Sequence, residues 1–250
     1  MESETLRSVA TVILAKNEER TISRAVRGAK RFCEHVVVMD GHSTDRTFER
    51  AREAGAEVHL DPGRGKGAAI RASFSLVDDP VIVFMDADGS HEPADIPRLA
   101  DPVVTGETDL CVGSRFTGGS EELSITIGQL VRTIGNISMN IAINRRWDVE
   151  LTDTLNGFRA VLRSAVMDVG LREDIHTIEQ EMVMKMLIAG HRVINVPTHE
   201  YRRHYGESHI KIWRQWPKFV FCVLSHVVRR SKASSEKERA RHQLSDGESR

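Results

Sequence analysis

The feature that most constrains this chain is the run Val81-Ile82-Val83-Phe84-Met85, five apolar residues rich in β-branched types, set behind the turn signal Asp79-Pro80. A strand apolar on both faces must be covered on both faces, so it belongs inside a sheet sandwiched between helices. The run ends in Asp86-Ala87-Asp88-Gly89-Ser90. Residues i and i+2 of a strand share a face, so Asp86 and Asp88 can point into one space at the carboxyl end. Two carboxylates so placed suit a hard divalent ion that keeps several waters and takes further oxygens from substrate phosphates. A solvated Asp-Gly turn is the plainer alternative.

The first half of the chain repeats this pattern. Val9–Leu14, Val36–Met39, Glu57–Leu60, Val81–Met85 and Leu110–Gly113 read as strands. Between them, Glu18–Phe32, Arg46–Ala54, Lys66–Leu76 and Pro93–Val104 read as helices, with Ser43-Thr44-Asp45 as a cap and Gly55 as a stop. This alternation predicts an α/β three-layer sandwich with a mostly parallel central sheet and right-handed crossovers. Ligands of such sheets bind beyond the carboxyl ends of the strands. Three strands end in chemistry at that edge: Leu14 leads to Lys16-Asn17-Glu18, Met39 to Asp40, and Met85 to Asp86.

The second half is less regular. Phe116–Ser124 reads as a polar loop, Ile125–Asn144 as a long helix, and Thr152–Val161 as extended. Arg163–Val169 reads as a short helix, Ile178–Ala189 as an amphipathic one, and Arg192–Val196 as a strand. From Tyr201 to Lys218 the chain is basic and aromatic, and 231–250 has the composition of a disordered tail. Residues 1–230 are thus expected to form one domain, with a first part at 8–115 and a second at 116–230.

Charge narrows the partners. Lys plus Arg number 35 against 36 Asp plus Glu, which gives no general field for nucleic acid. Cys33, Cys111 and Cys222 have no metal-like spacing, and with no signal peptide in the sequence they point to a reducing cytoplasm. No apolar run reaches the ~18–20 residues of a membrane span. Phe219–Val228, flanked by Trp213, Trp216, Lys211, Arg214, Arg229 and Arg230, is compatible with peripheral contact at a membrane surface.

Several residues carry two readings. Gly63-Arg64-Gly65-Lys66-Gly67, just before a helix, could offer amides and cations to an anion. Asp40 could accept hydrogen bonds from a nucleobase or cap the next turn. Asp153 could form a turn or serve the site. Arg203, with Gly206 and Ser208, makes a cationic loop suited to a diphosphate, and the histidines at 176, 191, 199, 204 and 209 lack helical metal spacing.

Taken together, seven segments in order resemble the family 2 glycosyltransferases of GT-A, nucleotide-sugar-binding Rossmann-like fold. The nearest likeness is to the dolichyl- or polyprenyl-phosphate mannosyl- and glucosyltransferases. The segments are Val12–Glu18, Val37–Thr47, Gly65–Ala69, Met85–Asp88, Val112–Arg115, Thr154–Arg159 and Glu200–Ser208. The resemblance implies that Ala15, Asn17, Glu18 and Asp40 meet the nucleotide. It implies that Asp86, Ala87 and Asp88 carry the diphosphate through Mg2+ or Mn2+, with Lys66, Arg203 and Ser208 adding to the donor site. Arg115, Arg132 and Asn156 would serve the acceptor, and Asp86, Asp88, Glu179 and Asp153 the reaction.

Four departures stand out: Gly41 in place of a second Asp, Ser90 in place of a Gln, His209 in place of a Lys, and Glu179 in place of a Gln. Glu179 bears on the acceptor. A phosphate monoester, with its second pKa near ~6, needs no base. A hydroxyl gains roughly 10²–10⁴-fold from one. The expected reaction is transfer of mannose or glucose from a GDP- or UDP-sugar to a polyprenyl phosphate. The alternatives are a hydroxyl acceptor with Glu179 as base, a nucleotidyltransferase, and a non-catalytic nucleotide-sugar binder.

Overall fold

A computed structural model describes residues 8–121 and 127–202. Seven strands form one sheet: β1 (Val9–Ala15), β2 (His35–Asp40), β3 (Glu57–Leu60), β4 (Val81–Asp86), β5 (Leu110–Ser114), β6 (Arg159–Leu162) and β7 (Val193–Pro197). Their order across the sheet is β3-β2-β1-β4-β6-β5-β7. The helices are α1 (Ile22–Ala29), α2 (Thr47–Glu53), α3 (Lys66–Leu76), α4 (Ile96–Val104), α5 (Arg115–Gly118), α6 (Ile127–Trp147), α7 (Arg163–Val169) and α8 (Ile178–Ala189).

Alternate residues of each strand feed two cores, one per face. Ala10, Val12, Val37, Met39, Ile82 and Phe84 pack with α3, α6 and α8, while Val9, Ile13, Val36, Val38, Val83 and Met85 pack with α1 and α4. That two-sided burial is why the strands read as unbroken apolar runs. The chain goes from β1 outward to β2 and β3, then returns through α3 to β4 on the other side of β1. This reversal opens a crevice at the carboxyl ends of β1 and β4. Register brings Ala15 opposite Asp40 and Leu14 opposite Asp86. The Gly41 amide donates to the Ala15 carbonyl at 2.8 Å and the Ala87 amide to the Leu14 carbonyl at 3.1 Å, which continues the ladder into the functional turns.

Five local expectations need correction. The first helix starts at Ile22 rather than Glu18, because 16–20 are spent on loop contacts. The segment from Pro93 opens as a single 3-10 turn before α4. The expected loop at 116 begins as a helical turn, and the extended stretch from 152 becomes a strand only at Arg159. That strand, β6, is antiparallel to both β4 and β5. Finally, α8 is not amphipathic: Ile178 through Met184, Met186 and Leu187 are all buried, including Glu179, Gln180 and Glu181.

Candidate active site

At the centre of the crevice lies Lys66, the first residue of α3. Its Nζ sits 2.8 Å from Asp86 Oδ1, 3.0 Å from Asp86 Oδ2 and 2.9 Å from Glu179 Oε1. Burial alone would lower the pKa of this ammonium, but the carboxylates of Asp86 and Glu179 outweigh it and hold it above the ordinary lysine value. Conversely, burial would raise Asp86, yet Lys66 above all brings it down to about 2. Gly157 closes the cluster: a Cβ there would stand 2.8 Å from Lys66 Nζ and 3.1 Å from Asp86 Oδ2. A side chain there would have to push the ends of Lys66 and Asp86 out of their present contact.

The N-terminus of α3 is not open to an anion as the glycine-rich loop suggested. The amides of Gly67 and Ala68 donate to the Asp174 carbonyl at 2.9 and 3.2 Å. Glu181, in the first turn of α8, fixes the segment that brings Asp174 there. Its carboxylate accepts from the amides of Arg172 and Glu173 and pairs with Lys185 Nζ at 2.7 Å. Lys66 is therefore the part of the loop that faces the site.

Beyond β4, Ser90 takes a defined part. Its amide and hydroxyl both donate to Asp88 Oδ1, at 3.0 and 2.6 Å, and Asp88 is buried. His91 accepts the Asp86 amide on Nδ1 at 3.1 Å and stacks on Phe158, with ring centroids 4.8 Å apart. Burial keeps His91 below the usual histidine pKa, so its ring is neutral, as that accepted bond requires. Nothing in the sequence pattern had marked His91.

The β1–β2 side of the crevice is laced together at its base. Asp40, buried at the end of β2, accepts from the Ser43 amide and hydroxyl, so in the structure it caps its own turn. Asn17, at a φ of 57°, donates its amide to Ser43 Oγ at 2.9 Å and accepts from the Thr44 amide at 2.8 Å. The Glu18 amide donates to Thr47 Oγ1 at 2.7 Å. These bonds hold the β1 and β2 loops as one rim around Ala15, Asp40 and Ala87.

Other expected residues lie elsewhere. Asp153 has no exposed surface; Arg115 grips it through Nε at 2.7 Å and Nη2 at 3.1 Å, and reaches Glu200 at 3.4 Å. Burial would raise the Asp153 carboxyl, and the Arg115 guanidinium brings it below the usual range instead. Asn156, also buried, donates to the Gly113 carbonyl and accepts from the Phe158 amide. In this structure Asp153 and Asn156 are anchors beneath the site rather than groups facing a reacting atom, and Arg115 is bound by two carboxylates. Arg132 falls on α6, but its side chain, with Arg203, Ser208 and the stretch 211–230 read as compatible with peripheral membrane contact, lies outside the described residues.

The donor set fits a divalent ion. Among the described residues no group of three or more His, Cys, Asp or Glu side chains forms a metal cage. Asp86 and Asp88 offer hard oxygens from a single turn, which suits Mg2+ or Mn2+ completing its shell with water and diphosphate.

Comparison with known proteins agrees with this architecture. The chain is 33% identical over 177 residues to the glycosyltransferase AglJ of Haloferax volcanii, covering 70% of this chain and 56% of that one. It is 30% identical to a dolichyl-phosphate hexose transferase of the same organism, with 82% and 87% covered. A dolichol-phosphate mannosyltransferase of Pyrococcus furiosus is 28% identical, and there the chain spans 62% of the relative's length. Among solved structures, glucosyl-3-phosphoglycerate synthase from Mycobacterium tuberculosis, in complex with Mn2+, UDP and glucosyl-3-phosphoglycerate, shares the fold. It superposes with a TM-score of 0.72 at 20% identity, covering 91% of this chain and 84% of that one. Residues 10–170 match the family model described as Glycosyl transferase family 2, and on that match, with this GT-A sheet beneath it, the chain belongs to the family 2 glycosyltransferases.

Proposed function

We propose that the protein moves a hexosyl group, mannose or glucose, from a GDP- or UDP-sugar to a polyprenyl phosphate, with inversion at the anomeric carbon. The observation that carries the choice of acceptor is the contact of Glu179 with Lys66 Nζ at 2.9 Å. A carboxylate in direct contact with a buried ammonium serves as its counter-ion. Taking a proton from a hydroxyl would first mean giving up that pair. A phosphate acceptor arrives as an anion and asks for no base. The relatives named for dolichyl phosphate support the same reading.

In this scheme Asp86 and Asp88 would hold Mg2+ or Mn2+, with Ser90 aiming Asp88. When bound, the divalent ion would neutralise charge developing on the diphosphate as the sugar leaves. Lys66 presents a permanent cation to the same region, at the switch point of the sheet. Asp40, Asn17 and Glu18 would border the base, and Arg203 and Ser208 would add positive charge and a hydroxyl at the leaving group. The acceptor phosphate, entering opposite the diphosphate, gives inversion. Peripheral contact with a membrane through the segment around Trp213–Arg230 would bring the lipid acceptor near; flotation with anionic vesicles at low salt tests it, and failure to float removes it.

The second reading, a hydroxyl acceptor with Glu179 as base, draws on the position of Glu179 beside Asp86 in one cluster. Release of nucleoside diphosphate from GDP-mannose and UDP-glucose, with polyprenyl phosphate or a simple glycoside as acceptor, separates the two. The expected result is release that depends on polyprenyl phosphate and on Mg2+ or Mn2+. Asp88→Asn should lower it about 10²-fold or more, and Glu179→Gln less than about 10-fold. Release driven only by the glycoside, with Glu179→Gln costing about 10²-fold, overturns the phosphate reading. Donor binding without turnover by any acceptor would mark a non-catalytic binder.

A further inference from the structure

Arg159 stands out among the groups that the scheme above leaves unused. Among the described residues it is the largest fully buried side chain, with 1% exposure, and it lies on β6 opposite Phe84 of β4 and Val112 of β5. A core position between two strands would ordinarily be filled by an aliphatic residue, since burying a charge costs several kcal/mol unless it is well compensated. The compensation here is unusual. The guanidinium is bonded to main-chain carbonyls instead of a carboxylate. Nε donates to Asn156 O at 3.0 Å, Nη2 to Asn156 O and to Thr154 O at 3.4 Å, and Nη1 to Glu179 O at 2.7 Å. Nη1 also lies 4.0 Å from Met182 Sδ.

Those carbonyls belong to two segments that converge on Lys66. Thr154 and Asn156 precede Gly157, whose Cα faces Lys66 Nζ, Asp86 Oδ2 and Glu179 Oε1. Glu179 itself, in the first turn of α8, is the second carboxylate on Lys66. The planar fork of an arginine can bond both segments at once at a fixed separation, which the single ammonium of a lysine cannot do.

We infer that Arg159 is a positioning residue: its guanidinium sets the distance between the Gly157 turn and the start of α8, and so clamps Glu179 onto Lys66 and aims the Lys66 ammonium at the donor diphosphate. The fixed positive charge has a second effect. Asp86 and Glu179 crowd around one lysine, and a cation below the cluster eases their mutual repulsion. The influence is reciprocal: burial lowers Arg159 to about 10, against the opposing pull of Glu179, Asp153 and Asp86.

This inference rests on the glycosyl-transfer reading for its kinetic part and on geometry alone for the rest, so the test has both. The variants are Arg159→Met, which keeps bulk and removes the fork, and Arg159→Lys, which keeps the charge. Pulse acylation of amines, read residue by residue by mass spectrometry, measures how tightly Lys66 is held with no metal or donor present. Lys66 labelling is expected to rise about 10-fold in Arg159→Met and to an intermediate degree in Arg159→Lys, with Lys30 and Lys185 unchanged. Turnover should fall by about 10²-fold, as expected for a misplaced binding group, with donor KM within about 3-fold. Unchanged Lys66 labelling in a folded variant overturns the inference, as does equal labelling of every lysine, which would report general loosening. Should Arg159→Met fail to fold, Arg159→Lys decides by the same criteria. A wild-type protein that turns over no donor counts against the proposed function and leaves the labelling result to judge Arg159.

Discussion

Lys66 is where the electrostatics of the site balance. Its side chain is 13% exposed, and it faces Glu179 at 6% and Asp86 at 27%, so solvent screens the three-way contact weakly. Removing one member of a buried ion cluster leaves the others uncompensated and costs about 3–5 kcal/mol. Lys66→Met is therefore expected to lose about that much in urea unfolding, whatever it does to turnover. A loss below about 1 kcal/mol would mean the cluster is effectively solvated. His35 gives the pH dependence. Burial lowers its pKa, but the Asp79 carboxylate at 2.5 Å, helped by Glu57, raises it above the ordinary value of 6.5. A histidine bound more tightly in its protonated form stabilises the fold fully below the unfolded pKa and loses that contribution as pH rises through the elevated one. Scanning melting temperature from about pH 6 to 8.5 should show a decline in the wild type that is shallower in His35→Gln. Parallel curves would remove His35 as the cause.

Among the secondary elements, α3 depends on a segment far along the chain. Its first amides bond to Asp174 O, and a Cβ on Gly67 would lie 2.4 Å from Glu173 O and 2.8 Å from Ile175 O. Backbone cannot step aside as a flexible side chain can. Gly67→Ala should therefore destabilise by about 1–3 kcal/mol and disturb Lys66 beside it, as denaturant titration and nucleoside-diphosphate binding would reveal. Unchanged stability would show that the 173–175 segment yields freely. This element also shows where sequence stops being informative. The strand ends at Asp40 and Asp86 were legible because apolar β-branched runs announce a parallel sheet and its carboxyl edge. The carbonyl of Asp174 was not, because every residue has one and only the fold decides which is aimed at α3. The polar run Glu179-Gln180-Glu181 suggested a solvated face on α8, yet each residue is buried beside Lys66, Met139 or the 172–173 amides, partners remote in sequence. Arg159 stood within a motif, but its ligation by carbonyls has no sequence signature.

At the scale of the whole molecule, one strand makes the difference between a plain doubly wound sheet and this one. β6 enters antiparallel between β4 and β5, and brings Gly157 and Arg159 to the crevice from the second half of the chain. The region through β4 contains Lys66, Asp40, Asp86 and the reversal of strand order. The remainder supplies Glu179, Asp174 and the turn over Lys66. Arg71 and Asp174, which join α3 to the 173–175 segment, are 103 positions apart. The order of synthesis gives this separation a consequence. A growing chain that has made β1 to β4 holds its lysine and its first aspartate without the second carboxylate, the seal on α3, or the glycine turn. A chain that ends after β4 therefore lacks both the Glu179 contact with Lys66 and the Asp174 bonds to α3, so the buried cluster is completed only when the second half of the chain has been made.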